Sequence, residues 1–148
     1  MENQDKKQAE EILAEIYRNA QLALQSIADI LPQVDDEKTK EELHLEHEEY
    51  EKFSARAAKI AKDREIELKE PNMFKKAMMW GSIKMSTLTD NSRSHVADMM
   101  LQGTVMGISA LRTSAGQTYK DASDEIVALL QEMIEAEERF EKTWKEYL

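Results

Sequence analysis

Residues that interrupt helices are scarce in this sequence, which holds four glycines and two prolines among 148 residues. So few breakers leave little room for strands joined by tight turns, and we expect a small number of long helices instead. The length suits one domain, residues 1–148, that is large enough to bury a single core.

Apolar residues recur at alternating steps of three and four in three stretches, which is the spacing of one helix face. The first stripe contains Leu13, Ile16, Ala20, Ala23, Ile27 and Leu31; the second contains Leu43, Tyr50, Phe53, Ala57, Ile60, Ala61 and Leu68; the last contains Ile126, Leu130, Met133, Phe140, Trp144 and Leu148. Each stripe predicts an amphipathic helix that buries one side.

The ends of these helices are marked by residues with a local chemical role. Pro32 ends the first helix because it lacks the N–H group that a helix interior needs. Asp35 or Asp36 can cap the second helix, and Asp121 or Ser123 can cap the last one, by accepting hydrogen bonds from free N–H groups. Short connections between long helices favour antiparallel neighbours. The predicted fold class is therefore all-α, an antiparallel up-down-up-down four-helix bundle.

The third segment differs from the others in being apolar all round. Apolar residues stay in helical phase from Phe74 to Ala110, which predicts one long third helix with a candidate kink at residues 89–92, where turn-forming residues gather. Residues 77–111 hold four charged side chains, whereas the other 113 residues hold 46. A helix that is apolar on every side must be covered on every side.

A second copy of the chain is the expected cover for this helix, because twofold homodimers are the commonest oligomers. The predicted interface residues are Met79, Trp80, Ile83, Leu101, Val105 and Ile108. We therefore predict a homodimer or a higher homo-oligomer formed through helix three. The alternative is that helix three is simply central and is covered by the loops and neighbouring helices of its own chain.

Charge and composition narrow the remaining partners. Thirty acidic residues against 20 basic ones give a net charge of −10, which argues against binding to nucleic acid and to negatively charged membrane surfaces. Cysteine is absent, which excludes disulfides and thiolate metal sites. The polar N-terminus and the lack of a long apolar run predict a cytoplasmic protein with no membrane span.

Five parts of the chain resemble a family of small bacterial proteins whose fold is ferritin-like. They are EIYRNA at residues 15–20, WGSIKM at 80–85, SHVADMMLQG at 94–103, MGI at 106–108, and the glutamate-rich last helix. The resemblance spans most of the chain and implies a ferritin-like bundle, a scaffold that often holds two iron or manganese ions. Its motifs mark the family and not a chemistry.

The residues themselves argue against the usual dinuclear site. Such sites take a Glu from each of two helices and a Glu-x-x-His motif from each of the other two, all pointing inward. The only such motif here is Glu41-x-x-His44, and at about 100° per residue both side chains fall on the solvent side of helix two. Helix one shows no carboxylate on its apolar stripe. We therefore do not expect a conventional oxidase or ferroxidase centre.

Several polar residues nevertheless fall on inward stripes or at their margins. They are Tyr17, Glu46, His47, His95, Glu137 and Glu141. Counting along the helices places Tyr17, His95 and Glu137 at similar heights in the bundle. An ionised glutamate in an apolar layer is unfavourable unless it is paired or bound to a cation.

Three arrangements would satisfy such a glutamate. In the first, Glu137 accepts hydrogen bonds from Tyr17, Tyr50 or His95, and the polar layer fixes the helix register. In the second, Glu46, His47, His95, Glu137 and Glu141 form a mononuclear or imperfect site for manganese, iron or zinc, which oxygen and imidazole ligands suit. In the third, the same groups orient a small molecule in a pocket.

No catalytic motif accompanies these residues, so we expect no enzyme and no cofactor. The predicted function is that of a non-enzymatic, homo-oligomeric ferritin-like bundle with a structural or interaction role. The alternative is a metal-binding or redox bundle with a degenerate site.

Overall fold

The fold is seen in a computed structural model, which describes residues 2–69, 88–115 and 125–148, with side chains described from residue 7 onward. These ranges form helices α1 (Glu2–Ile30), α2 (Glu37–Asp63), α3 (Arg93–Ala115) and α4 (Glu125–Glu146), and a short 3₁₀ turn at Leu31–Gln33. The described ranges contain no strand. The prediction of an all-α fold with four helices is confirmed for the residues that the structure describes.

Local chemistry explains where α1 ends and α2 begins. Helix α1 stops at Ile30 and Pro32 lies in the 3₁₀ turn, as its missing N–H group requires. Asp36 caps α2, because its Oδ2 accepts hydrogen bonds from the Thr39 backbone N–H at 3.0 Å and from Thr39 Oγ1 at 2.8 Å. Of the two candidate caps, the structure therefore uses Asp36. The candidate caps of the last helix lie outside the described residues.

The predicted third helix does not continue through residues 89–92, where the sequence placed a candidate kink. Residues 88–92 are not helical, and α3 begins only at Arg93. Asp90 Oδ1 accepts a hydrogen bond from the Ser92 backbone N–H at 2.9 Å, and Ser92 Oγ accepts one from the His95 backbone N–H at 3.3 Å. Short polar side chains that bond to nearby backbone groups in this way compete with helix formation. The predicted helical residues 74–87 lie outside the described residues.

The apolar stripes pack into one core, as their spacing predicted. All members of the first and last stripes are buried or half-buried except Leu148, which follows the end of α4 and is exposed. Leu68 follows the end of α2 and is half-buried against the core. None of the described helices is both long enough and apolar enough to cross a membrane.

Helices α2 and α3 begin at the same end of the molecule. The Arg93 guanidinium at the start of α3 donates to both oxygens of Asp36, the cap of α2, at 2.9 and 3.0 Å. At the other end of α2, Arg64 pairs with Glu125 at the start of α4, with 3.1 Å between Nη2 and Oε1. An up-down-up-down order would place the starts of α2 and α3 at opposite ends, so that order is wrong at the second connection. The predicted order requires a short connection there, whereas 29 residues separate Asp63 from Arg93.

The helices form two closely packed pairs. Helix α1 packs most extensively on α2, and α3 packs most extensively on α4. Helix α1 also packs along α3, while α2 and α3 touch least of all. The described helices therefore surround a shared centre, with α2 and α3 diagonal to each other.

Candidate functional site: a buried polar layer

A buried carboxyl group joins all four helices near the middle of the bundle. Glu137 on α4 is only 1% exposed. Tyr50 Oη on α2 donates to Glu137 Oε2 at 2.7 Å. Asn19 Nδ2 on α1 lies 3.3 Å from Glu137 Oε1 and 3.0 Å from the carbonyl oxygen of Gly107 on α3, and donates to both. We call these four residues, one from each helix, the polar layer.

Gly107 belongs to this layer because it has no side chain. A Cβ atom at this position would lie 2.8 Å from Glu137 Oε2, and 3.1 and 3.2 Å from the two amide atoms of Asn19. These distances are shorter than ordinary van der Waals contacts. The glycine therefore lets the α3 backbone approach the two polar side chains closely.

Burial controls the protonation of this layer. It raises the pKa of Glu137 to about 8, although the hydrogen bonds from Tyr50 and Asn19 act in the opposite direction. Glu137 is therefore mostly protonated at neutral pH. Burial also raises the pKa of Tyr50, and the nearby Glu137 and Glu46 add to that effect. The layer is consequently uncharged at pH 7, which removes the penalty of an ionised group in an apolar interior.

A second buried carboxyl group lies one helical turn from Tyr50. Glu46 is 0% exposed, and neither of its oxygens has a hydrogen-bond partner among the described residues. Burial raises the pKa of Glu46 well above its usual value; Glu42, one turn away, raises it further, and the nearby Trp144 indole opposes the rise. The indole nitrogen of Trp144 is itself buried without a hydrogen bond of regular geometry.

Glu46 and Glu137 are the two predicted metal-site residues that the structure buries. His47 is half-buried and pairs instead with Glu51, with 2.8 Å between Nδ1 and Oε1. Glu141 pairs with Lys145, with 3.2 Å between Oε1 and Nζ. Among the residues that the structure describes, no group of three or more His, Asp or Glu side chains is placed to hold a metal ion.

His95 does not lie at the height of Glu137, so that part of the predicted layering is wrong. It belongs to the first turn of α3, 12 residues before Gly107, which corresponds to about 18 Å along the helix axis. The predicted height depended on a third helix that extends back through residues 89–92, whereas α3 begins at Arg93. Tyr17 is half-buried at the edge of the core, and Asn19 is the α1 residue that bonds to Glu137.

Helix α1 buries three polar residues that were not among the predicted inward ones: Glu15, Asn19 and Ser26. Asn19 lies three residues after Ile16 and four before Ala23, so its spacing does place it on the apolar stripe, and this signal was overlooked. Glu15 is 5% exposed and pairs with Arg18 one turn along the helix. The prediction that helix one places no carboxylate on its inner side is therefore wrong, because an arginine within reach lets Glu15 enter the core.

The predicted interface residues on α3 fall into three environments. Val105 is 44% exposed, Leu101 is half-buried against the core, and Ile108 is buried within its own chain. Met79, Trp80 and Ile83 lie outside the described residues. Val105 and its exposed neighbour Met106 are thus the apolar side chains that α3 offers to solvent.

Comparisons of the chain with models of protein families, with curated proteins and with solved structures found no match.

Proposed function

We propose that this chain is a non-enzymatic helical scaffold with a structural or interaction role. The observation that carries the proposal is that the Glu137 carboxyl group is already engaged by other residues of the protein. Its carboxyl group already bonds to Asn19 and Tyr50 and lies against Gly107, so its contacts join helices. A catalytic acid or base must instead lie within hydrogen-bond reach of a substrate. A polar layer whose hydrogen bonds join the helices in this way favours the first of the three arrangements, in which it fixes the helix register.

We also propose that the helices form an antiparallel bundle of ferritin-like topology. Contacts between α2 and α4 run in opposite directions along the two helices: Lys38 stacks on the ring of Tyr147, Tyr50 bonds to Glu137, and Arg64 pairs with Glu125. The shared end of α2 and α3 requires one long return connection, and ferritin-like bundles have one such connection. Both features support this topology over one with short loops throughout.

The third part of the proposal is a homodimer that uses the outer face of α3. Its support is the low charge of the segment around α3 and the exposure of Val105 and Met106 in the single chain. Light scattering at micromolar concentration should give twice the chain mass of 17.1 kDa. Val105→Lys should shift the protein towards the monomer, because a charge would then be buried in the contact.

A matched control is available on another helix. Leu45 on α2 is 53% exposed, and Leu45→Lys should leave the mass unchanged. A wild-type monomer at micromolar concentration, or equal effects of the two substitutions, would remove the dimer from the proposal.

One observation favours a metal-binding bundle as a second candidate function. Both oxygens of the buried Glu46 are free of hydrogen bonds from described residues, and a cation could satisfy them. Iron, manganese and zinc are the metals that a site of carboxylate and imidazole ligands suits.

Elemental analysis of protein made in medium rich in iron, manganese and zinc separates the two functions. The scaffold proposal expects no stoichiometric metal. Metal bound near one ion per chain, and lost in both Glu46→Gln and Glu137→Gln while the helical circular dichroism is kept, would replace it with the second candidate.

A further inference from the structure

A narrow cleft between α1 and α3 leads from the surface to the polar layer. Gly103, Met106 and Gly107 line it on the α3 side, and Asn19 and Glu137 lie at its inner end. The two glycines are one helical turn apart, so the absence of two side chains opens the cleft. Met106 is partly exposed and stands at the outer side.

The size of the cleft limits what it can hold. Its volume is about 10 Å³, which is close to the minimum for one water molecule and too small for an organic ligand. The lining is polar at the inner end, where Glu137, Asn19 and Tyr50 meet. Buried water needs two to four polar partners, whereas cavities that stay empty are apolar.

The hydrogen bonds of the layer leave acceptors that face this space. Asn19 uses its Nδ2 group as a donor to Glu137 and Gly107, and its Oδ1 accepts no hydrogen bond from a described residue. Glu137 Oε2 accepts from Tyr50 and lies directly above Gly107. A donor placed in the cleft can therefore bond to both groups.

We propose that the cleft is a binding site for a single ordered water molecule, which donates to Asn19 Oδ1, forms a hydrogen bond with Glu137 Oε2 and completes the polar layer. The glycine at position 103 keeps this site open, while the glycine at position 107 lets the layer form. The water site adds to the scaffold proposal but does not depend on it, because it follows from the geometry of the cleft alone.

The two glycines provide separable variants. Gly103 lines the cleft, so Gly103→Ala adds one methyl group to its lining. Ser109→Ala, on the exposed side of the same helix, is the matched control. Both variants should keep the wild-type circular dichroism spectrum.

Oxygen-17 magnetic relaxation dispersion counts long-lived internal waters and tests the site. The expected result is one water fewer in Gly103→Ala than in the wild type, and no change in Ser109→Ala. The wild-type protein alone should also show a magnetisation transfer from water to the Gly103 or Gly107 amide proton, which does not depend on any variant folding.

Three outcomes would overturn the proposal. The first is an equal water count in the wild type and Gly103→Ala, together with no magnetisation transfer from water to either glycine amide. The second is xenon binding in the cleft of the wild type. The third is crystallographic density for a larger molecule at this position. Xenon would show the cleft to be apolar and dry, and a larger molecule would show that it opens to admit an organic ligand.

Discussion

Replacing Gly107 with alanine should destabilise the protein, even though alanine is the better helix former. The added Cβ would lie 2.8 Å from Glu137 Oε2, and Glu137 and Asn19 are both buried and bonded, so neither can move away freely. Crowding of this kind in a packed core costs about 1–3 kcal/mol. Displacing the Glu137 carboxyl also weakens its hydrogen bonds from Tyr50 and Asn19, each worth about 1 kcal/mol.

The opposing term is the helix propensity of alanine, which is about 1 kcal/mol better than that of glycine. The net loss in the free energy of unfolding should be about 2–3 kcal/mol, which lowers the melting temperature by roughly 6–9 °C for a chain of this size. Gly103→Ala gains the same helix propensity and places its methyl group at the lining of the cleft. It should be as stable as the wild type, or up to about 1 kcal/mol more stable.

Urea unfolding followed by far-ultraviolet circular dichroism at pH 7 measures both variants. A double-mutant cycle with Glu137→Ala then identifies the source of the effect, because the penalty of Gly107→Ala should largely disappear when the crowded carboxyl is absent. If Gly107→Ala is as stable as Gly103→Ala, or if its penalty persists without the Glu137 side chain, then Glu137 does not pack against α3 as described.

Three further predictions concern protonation and capping. The variant Tyr50→Phe removes the donor to Glu137 Oε2 and should lower the free energy of unfolding by about 1–2 kcal/mol. It should also raise the pKa of Glu137, which a carbon-13 titration measures. An unchanged pKa would contradict the hydrogen bond. The folded chain keeps a proton on Glu137 that the unfolded chain releases above pH 4.5, so the free energy of unfolding should fall by about 1.4 kcal/mol per pH unit between about pH 5 and pH 8. The variant Glu137→Gln should flatten this slope. An equally steep slope in that variant would refute the raised pKa of Glu137. Hydrogen bonds from Arg93 and Thr39 hold the pKa of Asp36 well below its ordinary value. The contribution of Asp36 to stability is therefore complete above the unfolded pKa of 3.8 and is lost as the pH falls further. The variant Asp36→Asn should have a lower melting temperature at pH 7 and lose less stability in acid, which thermal scans at pH 2–7 would measure.

Much of the helical framework could be predicted from the sequence, because it depends on spacing and on local chemistry. The stripes through Ile16, Tyr50 and Met133 are buried as their period requires. Pro32 ends a helix and Asp36 begins one for reasons that involve only neighbouring residues. Glu46 and Glu137 were placed inward by the same count along the helix, and both are buried.

The errors come from features that depend on relations between distant parts of the chain. The direction of α3 is visible in contacts such as that between Arg93 and Asp36, which are 57 residues apart and which no periodicity reveals. Apolar residues on both sides of residues 89–92 share a helical phase, yet α3 begins only at Arg93, after the bonds of Asp90 and Ser92 with nearby backbone groups. Once the start of α3 is misplaced, every height counted from it is misplaced too, and His95 is assigned to the wrong layer.

The polar layer also explains why small residues on α3 face a large polar group on α4. A buried carboxyl group needs hydrogen-bond donors held within bonding distance. Asn19 donates to both Glu137 and the Gly107 carbonyl oxygen because α3 comes close at a residue with no side chain. Had residue 107 been alanine, α3 would stand farther from α1, and the carbonyl would move out of reach of Asn19. The glycine and the carboxyl group thus require each other, so a small residue at an inward helical position predicts a close backbone contact, and a polar residue at the same height on the facing helix identifies what lies against it.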